Sequence, residues 1–509
     1  MGGTPLSTYG TVADMVRAGS KKPNTILAEA LFRLEAQLGH VALSARYHQL
    51  PRRIEDDYTL TSQVLGSGVS GSVICASRKG CQSGQLYAVK SFSLKQVATD
   101  KRKQVAAEAE LFLCMDHPNV VRLYDVYESY DSLHLVMEQL DGGELFHRVK
   151  AQEAVSEREA AEVAWQVLLA LNYIHSHGIV HGDVKLENIL YDSKESKHLK
   201  LIDFGFSRRW DPSQRGVSGG ACGTRSYVAP EVVLGRPCTS QSDMWSLGVV
   251  IFMLLARYRP FSNAAETVEG KFKVVPGRWK HVSKEGMHFI ASLLTVGPGK
   301  RLTAEGALQH PWIARRHARG IHQVDPMTVE ALRSFSHCPV FRRCCMQVAA
   351  WSLSEKECAP VEDIFLEMDA KHEGRITLSE LRQELPEDQV DDAEVRQIFD
   401  ALVADHDQEI HYSDFLAAML DTRIKLTDDL LHYAFERFDV RHCGHISMSN
   451  VLEVLGEHFG GHRVLSLVQE AGLSKQGTLS FREFEAYMRG RGLPSARRPP
   501  GVRPCCALQ

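Results

Sequence analysis

The sequence predicts two unlike halves: a bilobal α+β unit with its strands gathered early and its helices late, then an all-α unit of repeated helix–loop–helix pairs. Three observations predict this. A glycine-rich run, Leu65-Gly66-Ser67-Gly68-Val69-Ser70-Gly71-Ser72-Val73, leads into a strand-like run, Leu86-Tyr87-Ala88-Val89-Lys90, instead of a helix. Further on, His181-Gly182-Asp183-Val184-Lys185-Leu186-Glu187-Asn188 precedes Leu201-Ile202-Asp203-Phe204-Gly205, two clusters of chemically active side chains on short turns. Last, four stretches beginning at Asp369, Val403, Asp439 and Gly472 align with one another, with apolar residues at helical spacing around them.

At 509 residues the chain is too long for a single hydrophobic core, and several domains are expected. Its 59 Lys and Arg nearly balance 63 Asp and Glu, which argues against a nucleic-acid partner. The longest apolar run, 245–256, is too short to cross a bilayer and reads as a buried core helix. The first residues, Met1-Gly2-Gly3-Thr4, lack the basic-then-apolar pattern of a secretory signal. Twelve cysteines without metal or disulfide spacing suit a reducing, cytoplasmic setting.

Residues 1–57 read as an N-terminal extension, in which Ile26, Leu27, Leu31, Leu34, Leu38 and Leu43 are spaced for one amphipathic helix over 24–46. Gly2 invites N-myristoylation, but Leu6 stands where that pattern wants Ser or Thr. In the glycine-rich run the missing side chains let backbone amides approach phosphates closely. A dinucleotide-binding fold would enter a helix at once, so the strand ending in Lys90 argues for a different phosphate chemistry. Asp183, Lys185 and Asn188 lie close together, and Asp203 follows on a tight glycine turn. That set suits positioning a hydroxyl and holding Mg2+ through oxygen ligands. These motifs, in this order, resemble those of a protein kinase.

The resemblance covers 58–313 and implies transfer of the γ-phosphoryl group of ATP, with Mg2+, to a protein hydroxyl. It implies that Lys90 meets the nucleotide phosphates and that, by the family's spacing to Asp116-His117-Pro118-Asn119, Glu108 and not Glu110 is its ion-pair partner. Leu65, Gly66, Gly68, Gly71, Val73, Ala88, Met137, Glu138, Leu140, Glu144 and Leu190 would complete the ATP site. Within it Glu138 and Leu140 form the hinge beside adenine, and Met137 guards a small back pocket. Asp183, Lys185, Asn188 and Thr224 would be catalytic, Asn188 and Asp203 would hold Mg2+, and Thr224 marks serine/threonine kinases. Gly142-Gly143-Glu144 resembles the calcium/calmodulin-type kinases, where this glutamate meets the ribose and a basic residue N-terminal to the target; a solvated helix-start carboxylate is the other reading. Glu231 with Arg301, and Asp243 beneath the catalytic loop, would be structural posts. Gly182 stands where most kinases carry the arginine that receives an activation-loop phosphate, so activity is expected not to depend on phosphorylating 207–224.

Residues 314–360 read as a basic junction in which Val329, Leu332, Phe335 and Phe341 line a helix, and 361–488 as four divergent EF-hands. Kinase, junction and EF-hands in this order resemble the calcium-dependent protein kinases of plants and apicomplexan parasites, in which the junction inhibits and the calmodulin-like domain releases it. The implied fold is an α+β bilobal protein kinase fold followed by an all-α EF-hand (calmodulin-like) domain, with an intramolecular contact between them. Each loop keeps an apolar eighth residue, Ile376, Ile410, Ile446 or Leu479, able to pair with a neighbouring loop through a short strand. Calcium ligands survive unevenly. Loop 369–380 offers Asp369, Glu373, Arg375 at the seventh place, Thr377 and Glu380, but puts Lys371 at the third. The second loop opens with Val403 and ends in the shorter Asp414, the third has Arg441 and Cys443 at ligand places, and the fourth opens with Gly472 although Glu483 closes it. Two readings stand: Ca2+ binds weakly at 369–380, with the fourth loop a further candidate, or this half has become a structural or partner-binding module, which the missing ligands favour.

Residues 489–509 form an arginine-rich tail ending Cys505-Cys506-Ala507-Leu508-Gln509. The last four residues fit the prenylation pattern, with Cys505 open to palmitate and the arginines drawn to an anionic membrane surface; an unmodified tail is the alternative. The sequence thus predicts a serine/threonine kinase for protein substrates with basic residues N-terminal to the target, under calcium control or free of it. A catalytically dead scaffold is the rival, opposed by the presence of Lys90, Glu108, Asp183, Asn188 and Asp203 together.

Overall fold

The computed structural model describes residues 26–27, 30–31, 33–35, 43–68, 71–81, 84–95, 97–151, 155–210, 223–315, 324–403, 408–459, 462–470 and 477–491. The first lobe is a six-stranded sheet, order β1-β5-β6-β4-β3-β2. Its strands are β1 (Tyr47–Gln49), β2 (Tyr58–Gly68), β3 (Gly71–Arg78), β4 (Leu86–Ser93), β5 (Leu123–Glu128) and β6 (Ser132–Glu138). All neighbours are antiparallel except β1, which runs parallel to β5 with His48 opposite Tyr127. Side chains alternate between the faces of a strand. Leu133, Leu135 and Met137 of β6 therefore join the core containing Val105, Ala109 and Phe112 of α1 (Thr99–Leu113). Tyr58, Tyr87, Val89, Tyr124, Tyr127 and Val136 cluster on the opposite face. A sheet apolar on both faces needs a cover on both.

The helical lobe hangs on α2 (Glu157–Ser176) and α3 (Ser240–Ala256). A reciprocal Ser156–Glu159 capping box starts α2, satisfying amides that a helix start leaves open. The apolar run 245–256 lies in α3, with Trp245 fully buried. Among the described residues no helix is long and apolar enough to cross a membrane.

The second half holds α4 (Pro326–Ser336), α5 (Val340–Ala350), α6 (Glu355–Met368), α7 (Leu378–Glu384), α8 (Asp392–Leu402), α9 (Tyr412–Met419), α10 (Asp428–Phe438), α11 (Met448–Leu455), α12 (Val464–Glu470) and α13 (Phe481–Met488). The junction residues expected on one helix lie on two: Pro339 is the N-cap of α5, and a proline there lets no helix run through. Both helices give their apolar faces, Val329, Leu332, Phe335 and Phe341, to the core of the EF-hand half. The short strands expected at the eighth loop positions form as read, Ile376 opposite Ile410 and Ile446 opposite Leu479.

The helix expected over 24–46 in the N-terminal extension falls partly outside the described residues, which include none of 36–42. Leu27, Leu31, Leu34 and Leu43 are buried in the first-lobe core, and the chain then continues into β1, which adds a strand to the sheet.

Candidate active site

The active cleft is built where strand ends and short loops converge. β3 and β4 pair with Val73 opposite Lys90, while β4 and β6 pair with Ala88 opposite Met137, so the proposed nucleotide-facing residues share one patch of sheet. The glycine-rich hairpin closes with Gly66 opposite Val73 and Gly68 opposite Gly71. Lys90 Nζ lies 2.6 Å from Glu108 Oε1 on α1 and 2.9 Å from Asp203 Oδ1. Burial works against the Lys90 charge, but the two carboxylates outweigh it and raise its pKa. Burial likewise pushes Asp203 up, yet Lys90 brings it net below the ordinary carboxylate value. Glu108, more deeply enclosed, ends net above it. Leu140 follows β6 in the expected hinge, and a bridge between Glu144 and Leu190 brings the start of the next helix against the strand that follows Asn188. Glu138 turns its carboxylate backward instead, onto the Arg122 amide at 2.6 Å and Lys200 at 3.0 Å. Its backbone N–H is spent as well, on the Arg122 carbonyl at 3.0 Å.

Below, the Asp183 carboxylate collects four donors. Oδ1 accepts from the Thr224 amide and hydroxyl, both at 2.9 Å, and Oδ2 from Lys185 Nζ at 2.5 Å and Asn188 Nδ2 at 3.2 Å. The loop is held from beneath by Asp243, which accepts from the His181 and Gly182 amides at 2.9 and 2.8 Å and meets His175 Nε2 at 2.9 Å. Gly182 has φ 79°, left-handed backbone that a side chain strains. A Cβ on Gly223 would stand 2.8 Å from the Gly182 carbonyl oxygen, so the two glycines let the chain cross itself beside Asp183. Asp203 itself takes φ 63°, a conformation rare outside glycine that concentrates at functional sites. Its neighbour Phe204 is fully buried against Phe112 of α1 and His181 of the loop. Glu231 and Arg301 form the expected buried pair at 2.8 Å. The segment 211–222, on which the expectation about activation-loop phosphorylation largely falls, lies outside the described residues, as do Cys505 and Cys506.

Asn188 spends its amide nitrogen on Asp183, which leaves Oδ1 for a cation, and Asp203 offers carboxylate oxygen. These donors fit Mg2+. In loop 369–380 the fit is weaker. Asp369 accepts from the Glu373 and Gly374 amides at 3.0 and 2.6 Å, Glu380 accepts from the Lys371 amide and from Thr377, and Glu373 is ion-paired at 3.0 Å with Arg375, whose other nitrogen holds Glu409. Both end carboxylates point into the loop, but a protein cation already sits on the fifth ligand and Lys371 occupies the third place. In the third loop Asp439 accepts from the Cys443 and Gly444 amides, and Asn450 replaces the closing glutamate.

The EF-hand half is seated on the tyrosine face of the sheet. Arg437 of α10 is fully buried, 2.6 Å from Asp125 Oδ1 and 2.7 Å from Oδ2 on β5. Arg437 Nη1 also lies 2.6 Å from His48 Nε2, the nitrogen that stands 2.8 Å from Asp125 Oδ1, and burial pushes that imidazole down to about 4, which keeps it neutral. Arg122 donates to the Ala350 carbonyl, Tyr124 to that of Leu353, Asn172 to that of His372, and Arg78 pairs with Glu436. None of these residues carries a motif, so sequence reasoning passed over them. Asp414 sits at the same seam, accepting from Gln347 and the His411 amide, and burial pushes its carboxyl up to about 7. The fold therefore binds a proton there that the unfolded chain releases near pH 4, and this contribution to stability falls as pH rises from about 4 to 7. Asp414→Asn should remove that slope. Chemical denaturation should find the variant more stable than wild type by about 2–4 kcal/mol at pH 8 and level with it near pH 4.

Residues 59–313 match the protein kinase domain family. Over 493 residues the chain is 34% identical to calcium-dependent protein kinase 20 of Oryza sativa subsp. japonica, covering 92% of this chain and 86% of the relative. The chain belongs to the calcium-dependent protein kinase family. Calcium-dependent protein kinase 8 of Arabidopsis thaliana is similar at 33% (84% and 82% covered), and calcium-dependent protein kinase 5 of Plasmodium falciparum at 30% (86% and 78% covered). For this calcium-dependent protein kinase homologue the bilobal fold, the EF-hand half and protein kinase activity follow.

Proposed function

We propose that the protein phosphorylates serine and threonine, with Asp183 taking the proton of the acceptor hydroxyl. The observation that carries this is the clamp of four donors on the Asp183 carboxylate, which fixes its direction and places Lys185 and Thr224 at its side. Phosphoryl transfer depends on such positioning more than on covalent chemistry. Lys185 steadies the moving phosphoryl group, and Lys90, braced by Glu108, orients the nucleotide phosphates. Asn188 and Asp203 would hold Mg2+, which neutralises charge gathering on the phosphates when bound. Glu144, 3.4 Å from His147 and partly open to solvent, supports a substrate with a basic residue N-terminal to the target. The cysteine ending supports a lipid anchor, strengthened by the tail arginines.

For control, we infer that calcium acts through loop 369–380, which keeps both end carboxylates. The second reading is a calcium-free docking module, favoured by the Arg375–Glu373 pair and by seating through the Arg437–Asp125 pair. Phosphate transfer to a peptide with arginine N-terminal to serine, with saturating calcium and with chelator, beside Asp203→Ala as the blank, separates them. Activity only with calcium assigns control to that loop. Equal activity assigns it elsewhere, and none above the blank in either leaves a scaffold.

A further inference from the structure

Between the kinase half and the EF-hand half runs a short piece of the N-terminal extension, Leu43 to His48, and it touches both. Ser44 Oγ donates to the Val454 carbonyl on α11 at 2.7 Å, and His48 Nε2 lies 2.6 Å from Arg437 Nη1 on α10. Arg46 lies between them and is fully buried. Its Nη2 donates at 2.8 Å to the carbonyl of Leu113, the last residue of α1, and its guanidinium lies 3.7 Å from the centroid of the Trp351 ring, where α5 ends. A helix C-terminus presents unsatisfied carbonyls and partial negative charge, which a guanidinium answers on both counts. Burial lowers the Arg46 pKa only to about 10, so it stays charged at neutral pH and its contact with the indole face is a desolvated cation–π pair. The same extension grips α1 a second time, through Arg33 on Glu110 at 2.9 Å.

Helix α1 carries Glu108, which holds Lys90. We propose that Arg46 is a positioning residue for phosphoryl transfer: it ties the end of α1 to Trp351, so that seating of the EF-hand half fixes where Glu108 stands. Arg46 touches neither nucleotide nor acceptor. It acts through the helix, and the route from Trp351 to Lys90 passes through Arg46, the Leu113 carbonyl and Glu108. This rests on the proposed role of Glu108 in holding Lys90 for ATP.

The test is steady-state kinetics on the full chain with Arg46→Met, Arg46→Lys, Trp351→Leu and the Arg46→Met/Trp351→Leu pair. Arg46→Met should raise KM for ATP and lower kcat, together at least tenfold in kcat/KM for ATP, with KM for the peptide unchanged. Arg46→Lys, which keeps a donor for the Leu113 carbonyl but loses the planar stack, should recover part of the loss. The double variant should be no worse than the poorer single one, because both break the same link. Arg33→Gln, at an exposed side chain that leaves the core untouched, should raise KM for ATP more mildly. Unchanged ATP kinetics in folded Arg46→Met, equal loss toward ATP and peptide, no recovery in Arg46→Lys, strictly additive losses, or no effect of Arg33→Gln should Arg46→Met fail to fold, would each overturn the proposal. Wild type without transfer would instead overturn the reading of the site beneath it.

Discussion

Asp183→Asn is expected to slow phosphate transfer by about 10^2–10^4-fold, the range that a positioned general base contributes. Asparagine keeps the size and one acceptor oxygen, so the Thr224 contacts at 2.9 Å have somewhere to go. What it loses is the negative charge that draws Lys185 in and the capacity to take a proton. ATP affinity should stay within a few-fold, because Lys90, Glu108 and Asp203 form their own linked set. Nucleotide binding measured beside peptide phosphorylation separates the two quantities. Transfer within tenfold of wild type would remove Asp183 from the chemistry.

The second large effect lies far from the cleft. Arg437→Met should destabilise the chain by about 3–5 kcal/mol, since it strips one partner from a fully buried ion pair and strands the other. Burial alone would raise the Asp125 pKa, and Arg437 and His48 hold it far below the usual carboxylate range. Wild-type stability from Asp125 is therefore present above the unfolded carboxylate pKa, near 4, and is lost only in stronger acid. In the variant the sign reverses. Asp125 is left with the Tyr58 hydroxyl at 2.6 Å and with His48, so its pKa rises, and the fold loses stability as pH climbs above about 4. His48, relieved of the neighbouring guanidinium, can also protonate and pair with Asp125 in mild acid. Denaturation midpoints should thus show a larger loss at pH 8 than at pH 5.5. Adding Asp125→Asn should restore much of it, because removing both charges leaves none buried alone. A pH-independent loss, or no rescue, would contradict this account.

These two residues also mark how much could be read from the chain alone. Asp183, Lys185, Asn188 and Asp203 announce themselves because their chemistry demands close spacing on two short turns. The loop strands at Ile376, Ile410, Ile446 and Leu479 were legible for the same reason: local pattern, repeated. Arg437 was not. On a helix with an apolar face an arginine reads as solvated, and its partner Asp125 is 312 residues away. Strand β1 is three residues of mixed polarity, too short for period-two alternation to register, and a parallel pairing leaves no hairpin turn as a clue. The break between α4 and α5 has a visible cause in Pro339, but the apolar spacing across it is also that of one helix.

A piece cut at the borders of the kinase match, 59–313, would leave β1 behind. Leu123–Glu128 would become the rim of the sheet, with open amides and carbonyls along one side and Tyr87, Tyr124 and Tyr127 bare on one face. Such a rim is a template for any passing strand, its own twin first of all. Asp183, Lys185, Asn188 and Asp203 would all be present, yet the fragment would tend to stack upon itself, because the strand that covers its rim is written in residues that sequence matching trims away.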